Sequence, residues 1–518
     1  MSINDEGELY VPTHEGGPSV PDQMGEEQAL APRGSRKWIG AAAAVAVIAA
    51  LAVGGAMLVN ALGGGGAQPE DVFPANAIVF ANVDLNPSAG QKLAVFQLAR
   101  KFPTSRDKVT SEESSIKEST FGSIFTGDSG WGLDYKKDVE PWLGDRVGVG
   151  VFPDMDSDKK PEVGLAIAVT DQDAAKIALD KAVAHAAKDK EKVGYAFADG
   201  YVIVSDTTAK AASLVRVGKV TPLTGSAYVA DVQKLGSEQI GVAWVDVAAS
   251  YKAVAQGQSS PDTLGLLEGA TDPKNISGRF VVGLHADPSF IELSGKAIDI
   301  KGVDALAKGD SATGAGLIAS FPADVFGAVS STGLGKAVGA LYPSLTASND
   351  SMKIKPMLDA LGIDSAEQIE TLLGDETGVV VGGTLDQPVF AVRTATGDVD
   401  AAYALAGRIL ALAQFDTGGA TVHKVQGPDG LVVGTGSGLI GAMTSQSGSK
   451  LGSTATFTQV MPDVGQADFA AYLNLAKLMP RLTSDNASDA ASLEPLNALG
   501  LTATRGAEPA FRLRLSVT

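Results

Sequence analysis

Two stretches, GLDYKKDVEPWLGD at residues 132–145 and GIDSAEQIETLLGD at residues 362–375, share six identical positions in fourteen and lie 230 residues apart. Five shorter matches keep nearly that offset: DAA at 173 and 400, DG at 199 and 429, WVD at 244 with YLN at 472, FPA at 73 and 321, and ADP at 286 with AEP at 507. Matches that stay in register along a chain are typical of an internal repeat. The sequence therefore predicts two homologous copies, residues 71–303 and 304–518.

The first copy carries an extra segment. The offset is 248 residues at the FPA match and 230 at the fourteen-residue match, so the extra residues fall between these landmarks. Residues 104–131 lie there and are rich in Ser, Glu, Lys and Gly, a composition typical of surface loops. We expect an exposed insertion loop at this position.

Each copy alternates short strand patterns with a few helices. Val-rich runs at 146–152 and 377–383 follow the LGD element, and the Asp-Gly pairs suit tight turns between strands. Apolar residues at helical spacing predict a helix after Asp171 and another after Asp398, where each carboxylate can cap free amides. Direct hairpins favour antiparallel pairing. We predict an α+β fold in which each copy is a largely antiparallel sheet with helices packed on one side.

Residues 38–62, from Trp38 to Leu62, form an uncharged, alanine-rich run. A helix of this length reaches roughly 37 Å, which is enough to cross the roughly 30 Å of hydrocarbon in a bilayer. The run predicts a single N-terminal transmembrane helix. A secretory signal that is removed after residues 65–67 stays open as an alternative.

The flanks of this run predict its orientation. Three cations, Arg33, Arg36 and Lys37, stand directly before it, which places the N-terminus in the cytoplasm by the positive-inside rule. Residues 1–37 are acidic and lack apolar periodicity, so we expect a disordered cytoplasmic tail. Residues 63–70 form a Gly-rich tether. The two copies are then extracellular, on a single-pass protein of the cell membrane with type II topology.

Composition restricts the partners. The chain has 41 Lys and Arg against 60 Asp and Glu, a net charge of −19. Three of these cations and seven of these anions lie in residues 1–37, which leaves about −15 for the rest. This charge repels nucleic acid and anionic lipid headgroups. The chain has no cysteine, which excludes disulfides, thiolate catalysis and a lipid-modified cysteine anchor.

Two longer stretches carry a resemblance to a known family. FPANAIVFANVDLNPSAGQKLAVFQLARKFP at 73–103 and GLDYKKDVEPWLGDRVGVGVFP at 132–153 follow the Gly-rich tether. Together they resemble the actinobacterial single-pass membrane proteins whose external part is a domain of unknown function, the DUF3352 type. The resemblance covers residues 70–518. It implies a membrane anchor and an external domain, and it brings no activity, ligand or catalytic residue.

One acidic motif is a candidate metal site. Asp154, Asp156 and Asp158 form D-x-D-x-D, which can begin a calcium loop because alternating carboxylates converge on a hard cation. Lys159 and Leu165 occupy the positions where such a loop needs glycine and glutamate. The competing interpretation is a solvated acidic turn, so the three aspartates are a weak calcium candidate.

The other motifs lack the partners that their chemistry needs. GDSG at 127–130 matches a serine-protease nucleophile segment, but the histidine upstream of it is His14, in the tail. GSGLIG at 436–441 fits G-x-G-x-x-G without the acidic residue that binds a ribose. The remaining histidines stand apart from other metal ligands: His185, His285 and His423. We predict no cofactor and no catalytic residue.

Asp145 and Asp375 recur at the ends of the two fourteen-residue stretches. Two such carboxylates can share acid/base work if the copies face each other, and otherwise they are turn residues before a strand. We expect a non-enzymatic binding or scaffolding module that contacts an unknown envelope component, with its activity on the surface created by the duplication. The alternatives are a carrier for a lipid or other apolar ligand and, as a third possibility, a carboxylate-dependent extracytoplasmic hydrolase.

Overall fold

A computed structural model describes residues 67–84, 88–103, 125, 131–154, 161–188, 192–236, 238–255, 276–302, 315–347, 354–412, 421–427, 430–445, 447–482 and 493–518. The predicted tail and transmembrane helix, residues 1–37 and 38–62, lie outside these ranges, as do most of the tether and the predicted boundary at 303–304. No helix within the described ranges is long and apolar enough to cross a membrane.

Within the described ranges, sixteen strands pair into one sheet, and every pairing of neighbours is antiparallel. The first half contributes β1 (Val79–Asp84), β2 (Leu143–Phe152), β3 (Glu162–Val169), β4 (Gly194–Ala198), β5 (Tyr201–Ser205), β6 (Gly241–Asp246), β7 (Ser277–Asp287) and β8 (Phe290–Lys301). The second half contributes β9 (Gly327–Thr332), β10 (Glu376–Gly383), β11 (Pro388–Ala395), β12 (Val422–Gly427), β13 (Gly430–Thr435), β14 (Phe469–Asn474), β15 (Leu496–Thr504) and β16 (Ala510–Val517). The predicted α+β class with antiparallel pairing is confirmed.

The strand order is the same in both halves when each is followed from the sheet edge to the centre. The first half runs β4-β5-β3-β2-β1-β6-β7-β8, and the second runs β12-β13-β11-β10-β9-β14-β15-β16. The halves meet where β8 pairs with β16, and Leu293 lies opposite Leu513 at the middle of that pairing. We call this pairing the junction.

The junction changes one expectation, because the sequence predicted a separate sheet in each copy. Left apart, β8 and β16 would each be an edge strand with unpaired N–H and C=O groups. Pairing the two edges satisfies these groups within the protein. The result is one continuous sheet that crosses both halves.

The helices alternate with the strands along the chain. They are α1 (Pro69–Val72), α2 (Ala89–Lys101), α3 (Gln172–Lys188), α4 (Thr208–Val220), α5 (Tyr228–Gln233), α6 (Val247–Ala255), α7 (Leu334–Ala347), α8 (Ile354–Ala360), α9 (Ala366–Leu373), α10 (Val399–Leu412), α11 (Ser437–Thr444), α12 (Ala455–Val460) and α13 (Leu475–Leu482). A single π-helical turn spans Tyr135–Val139, and 3₁₀ turns span Leu223–Gly225, Gly316–Ser320, Leu451–Ser453 and Val464–Gln466.

Helices cover both faces of the sheet, so the prediction that they pack on one side is wrong. All five residues of β5 are buried. Tyr201 and Ile203 pack in a core with α4, whereas Val202 and Val204 pack in another core with α3. Successive side chains of a strand point to opposite faces, and a strand that is apolar on both faces needs cover on both. We call the α4 side face A and the α3 side face B.

The local helix predictions hold. The side chains of α3 that are buried stand at the predicted spacing: Ala175, Ala178, Leu179, Ala182 and Ala186. Asp171 Oδ1 accepts a hydrogen bond from the Ala174 amide at 3.0 Å, and Asp398 Oδ1 accepts one from the Ala401 amide at 2.9 Å. Both carboxylates therefore cap the start of a helix as expected.

Two aromatic residues of the predicted insertion loop lie in the face B core. Phe125 and Trp131 expose only 1% and 4% of their surface. The Phe125 ring stands edge-on to the rings of Trp131 and Trp142, with centroids 5.1 and 6.0 Å apart. The expectation of an exposed loop is wrong at these positions, because each aromatic ring buries a large apolar area that the polar composition around it obscures.

Candidate functional site

A cavity of about 250 Å³ lies at the junction, beside the centre of the sheet. Ser294 and Lys296 from β8 line it together with Arg512 from β16 and Thr502 from β15. These residues are paired across neighbouring strands, so their side chains share face A. The remaining lining residues are Leu235, Gly295, Asp463, Gln466, Ala467, Thr504, Ala510 and Phe511.

The rim of the cavity comes from both halves. Leu235 follows α5 in the first half, and Asp463 follows α12 in the second. These two residues lie 228 residues apart, the same offset as the WVD and YLN stretches. The cavity therefore lies between the face A helices of one half and those of the other, over strands that neither group covers fully.

Alternation along the two junction strands makes the cavity polar. Glu292, Ser294 and Lys296 occupy every second position of β8, and Arg512 and Arg514 do the same on β16. Leucines at the positions between them point to face B. The junction strands are thus apolar on one face and charged on the other.

A buried carboxylate organises these charges. Glu292 is 5% exposed, and its Oε2 accepts a hydrogen bond from Arg514 Nε at 2.5 Å. Arg512 Nε lies 3.2 Å from the same oxygen, and the Arg512 guanidinium also pairs with Asp463. A buried carboxylate is tolerated when it is paired in this way. Arg512 is therefore shared between two anions.

Ser294 and Lys296 are less engaged. Ser294 is 9% exposed, and its hydroxyl has no hydrogen-bond partner among the described residues. Within the same part of the chain, Lys296 forms no ion pair. Glu508 lies near it, and the hydrogen bond from Lys234 lowers the pKa of Glu508, with a smaller contribution from the charge of Lys296. An unpaired buried hydroxyl costs about 1–3 kcal/mol, which a bound acceptor would recover.

This arrangement suits binding better than covalent chemistry. A nucleophilic serine needs a base within hydrogen-bond reach. Among the described residues, no histidine lines the cavity, and its carboxylate, Asp463, is paired with Arg512. The free groups are hydrogen-bond donors.

The structure does not bring Asp145 and Asp375 together. Asp145 lies on β2, and Asp375 directly precedes β10. Eight strands stand between β2 and β10 in the sheet. The main-chain carbonyl of Asp375 accepts a hydrogen bond from the Gly333 amide, and its amide donates to Ala395. The two residues thus stand at the start of corresponding strands, far from each other along the sheet.

The calcium candidate is described only in part. Asp154 follows the end of β2, whereas Asp156 and Asp158 lie outside the described residues. No group of three or more His, Cys, Asp or Glu side chains converges as a metal site in the described ranges. The three aspartates therefore stay a prediction.

The other motif residues have local surroundings. His285 Nδ1 lies 2.7 Å from the Glu238 carbonyl oxygen. The His185 ring packs over Gly132, and His423 lies on β12. The GSGLIG motif spans the start of α11, and the GDSG motif lies outside the described residues.

A second feature lies on face B of the second half. Val329, Val379, Phe390 and Val392 are 39%, 41%, 50% and 37% exposed. Val379 pairs with both Val329 and Val392 across neighbouring strands, so the four side chains form a continuous apolar strip. We call these four residues the apolar strip.

The corresponding strands of the first half are covered. Ala81, Val149 and Leu165 pair across β1, β2 and β3 in the same way, and all three are buried in the core that contains Phe125 and Trp131. The second half has no counterpart of the 104–131 segment in its sequence. This difference in length accounts for the exposure of the apolar strip.

Sequence reasoning missed the cavity because its residues come from strands that are distant in the chain. The alternation of charged and apolar residues on β8 and β16 was the available signal. It indicates two strands with a polar face, but the partner of each strand is a long-range property.

The fold and the cavity define an α+β protein with a sixteen-stranded antiparallel sheet and a polar cavity at its centre. Residues 39–215 match the model of the family described as "Protein of unknown function (DUF3352)", and this part of the chain belongs to that family. A solved structure titled "Structure of crystal form I of TP0453" is 12% identical, covering 47% of this chain and 82% of that chain with a TM-score of 0.22. No curated protein matches the chain.

Proposed function

We propose that the chain is a membrane-anchored binding module of the cell envelope, built by tandem duplication, and that it binds its ligand in the junction cavity. One observation carries this proposal: the cavity lies where the two halves meet and contains a buried hydroxyl without a partner. Duplication creates such a site without any new fold, because the two halves only need to join at their last strands.

Repeated main-chain contacts support the duplication. The Leu223 amide donates to the Phe73 carbonyl at 2.7 Å, and the Leu451 amide donates to the Phe321 carbonyl at the same distance. Glycines at the start of the matched stretches share an unusual conformation, with φ of +67° at Gly132 and +71° at Gly362. Side chains other than glycine rarely adopt this conformation, which gives a physical reason for the shared residue.

The same helix-entry contact also occurs in both halves. The Asp134 amide donates to Asp138 Oδ2, and the Asp364 amide donates to Gln368 Oε1, each at 2.8 Å. The two contacts lie 230 residues apart, at the offset of the matched stretches. Together with the shared strand order, these contacts favour two copies of one ancestral unit.

The proposed location follows from the sequence. Residues 38–62 anchor the chain in the cell membrane, and the basic residues before them hold the N-terminus in the cytoplasm. Both copies are then extracellular. Protease added to intact cells should remove epitopes placed after residue 315 and spare one placed at residue 5, and protection of both would contradict this topology.

The binding proposal can be tested by retention of envelope components on the immobilised full-length chain. Wild type should retain a component that Ser294→Trp, which fills the cavity, does not retain. Lys296→Glu adds no bulk and should lose the component as well. Lys301→Glu is the matched control, because Lys301 is exposed at the end of the same strand. Equal retention by all four proteins, or by none, would refute the proposal.

The apolar strip favours a second candidate function, a carrier for a lipid or other apolar ligand. Contiguous exposed apolar residues on a sheet mark a surface that binds something apolar. Native mass spectrometry of the full-length chain should then show a co-purified lipid that is lost in Val379→Asp. The control is Ile177→Asp, because Ile177 is 74% exposed on α3, away from the strip. Absence of lipid from wild type would exclude this candidate.

A further inference from the structure

We infer that the junction cavity binds a small oxyanion, a carboxylate or a phosphate group, through Ser294, Lys296 and Arg512. This inference rests on the proposed binding function and specifies the chemistry of its ligand. It depends on the donors that the cavity presents, on the charge that the surrounding carboxylates leave over, and on the volume.

The donors of the cavity outnumber its free acceptors. The Ser294 hydroxyl is buried without a partner among the described residues, and a lysine ammonium carries three donors and no acceptor. Arg512 uses part of its guanidinium for Glu292 and Asp463, and a guanidinium has five N–H donors. A ligand that only accepts hydrogen bonds satisfies all three groups.

The charges point the same way. Asp463 neutralises part of Arg512, and Glu508 is paired with Lys234 at 2.9 Å. Lys296 has no ion pair within the described chain, so its positive charge is left over beside the cavity. The chain as a whole has a net charge of −19, and a local cationic site in such a protein selects an anion against the surrounding field.

The volume restricts the size of the anion. About 250 Å³ is smaller than the roughly 300–1,000 Å³ of sites for drug-sized ligands. A single carboxylate or phosphate group fits together with a few waters. The anion is therefore either a free ion or the charged group of a larger molecule whose remainder lies outside the cavity.

The test uses the full-length chain in a neutral detergent. Isothermal titration with inorganic phosphate, with acetate and with micelles of a short-chain phosphatidylglycerol separates a free ion from a lipid headgroup. Lys296→Met should weaken binding about tenfold or more, and Ser294→Ala by about threefold, because hydrogen bonds to charged groups contribute most. Lys301→Met should bind as wild type does. Equal melting temperatures for all variants would show that each is folded.

Each outcome decides the inference. Binding of phosphate, acetate or the lipid that Lys296→Met weakens supports it, and the arm that binds identifies the source of the anion. Absence of binding in every arm up to about 10 mM, a limit well above the millimolar range of weak specific ligands, overturns it. If wild type then still retains an envelope component that Ser294→Trp does not, the cavity binds a ligand of another class, and only the oxyanion inference fails.

Discussion

Glu292 on β8 lies opposite Arg514 on β16, and Arg514 Nε donates a hydrogen bond to Glu292 Oε2 at 2.5 Å across the junction. This ion pair joins the two halves of the chain at the centre of the sheet. Its carboxylate is buried, so the pair is shielded from water and depends on both partners.

Removing the carboxylate of this pair should destabilise the protein strongly. Glu292→Ala leaves Arg512 and Arg514 without their shared anion, and breaking a buried pair costs about 3–5 kcal/mol. We expect a loss of about 3 kcal/mol in the free energy of unfolding, measured by denaturant titration. Lys176→Ala removes an exposed pair with Asp180 on α3 and should cost at most about 0.5 kcal/mol. Similar losses for both variants would contradict this view of the junction.

Two helical glycines should respond in opposite ways to alanine. A Cβ at Gly218 in α4 would lie 2.3 Å from the Val72 carbonyl oxygen, whereas a Cβ at Gly441 in α11 meets nothing within 4 Å. Alanine in an open helical position stabilises by roughly 1 kcal/mol, and overpacking against main chain costs about 1–3 kcal/mol. Gly441→Ala should therefore raise the melting temperature, and Gly218→Ala should lower it. A rise in both variants would show that α4 does not lie against α1.

Phe125 and Phe390 should differ in their contribution to stability. Phe125 is buried between Trp131 and Trp142, and Phe390 is half exposed on the apolar strip. Phe125→Ala should cost about 3–5 kcal/mol. Phe390→Ala should cost less than about 1 kcal/mol, because a partly exposed ring loses little burial. Equal effects in a thermal melt would mean that the 104–131 segment does not contribute to the first-half core.

The buried carboxyl of Glu376 gives a pH-dependent prediction. Burial raises the pKa of Glu376, although the Leu317 amide that donates to its Oε1 at 2.9 Å opposes the shift. Stability from this group is therefore complete below the unfolded pKa of about 4.5 and is lost as the pH rises through the raised folded pKa. Glu376→Gln cannot ionise and keeps the acceptor.

The variant Glu376→Gln should consequently be more stable than wild type at pH 7, and the gap should close towards pH 4. Denaturant titrations at several pH values measure this gap. Glu367→Gln, on the exposed side of α9, is the control and should show little change. A gap of constant size across the pH range would contradict the assigned burial of Glu376.

Local features of the fold were predictable from the sequence. The Asp-Gly pair at residues 199–200 lies between β4 and β5 as predicted, and Gly200 has a φ of +75°. Asp171 caps α3 because a carboxylate before a helical run finds free amides within a few residues. Such signals involve neighbours in the chain, so the residue types alone are sufficient.

Long-range features were not predictable in the same way. No local pattern states that β8 pairs with β16, since either strand would read the same as a free edge. The cover on both faces did leave a signal, because YVIVS in β5 is a continuous apolar run and such strands are typical of sheets buried on both sides. The cavity required both facts at once.

The most direct test of the account is whether β8 and β16 pair within one chain. The protein has no cysteine, so a Leu293→Cys, Leu513→Cys double variant carries only two thiols. Paired positions in antiparallel strands have Cα atoms about 4.5–5.5 Å apart, a separation that a disulfide can span. Mild oxidation should give an intramolecular disulfide in the monomer, seen by intact mass. The control pair Leu293→Cys, Val379→Cys, with four strands between its sites, should not form one. A Leu293→Cys, Leu513→Cys variant that stays reduced, or that links only between chains, would contradict the junction and the site built on it.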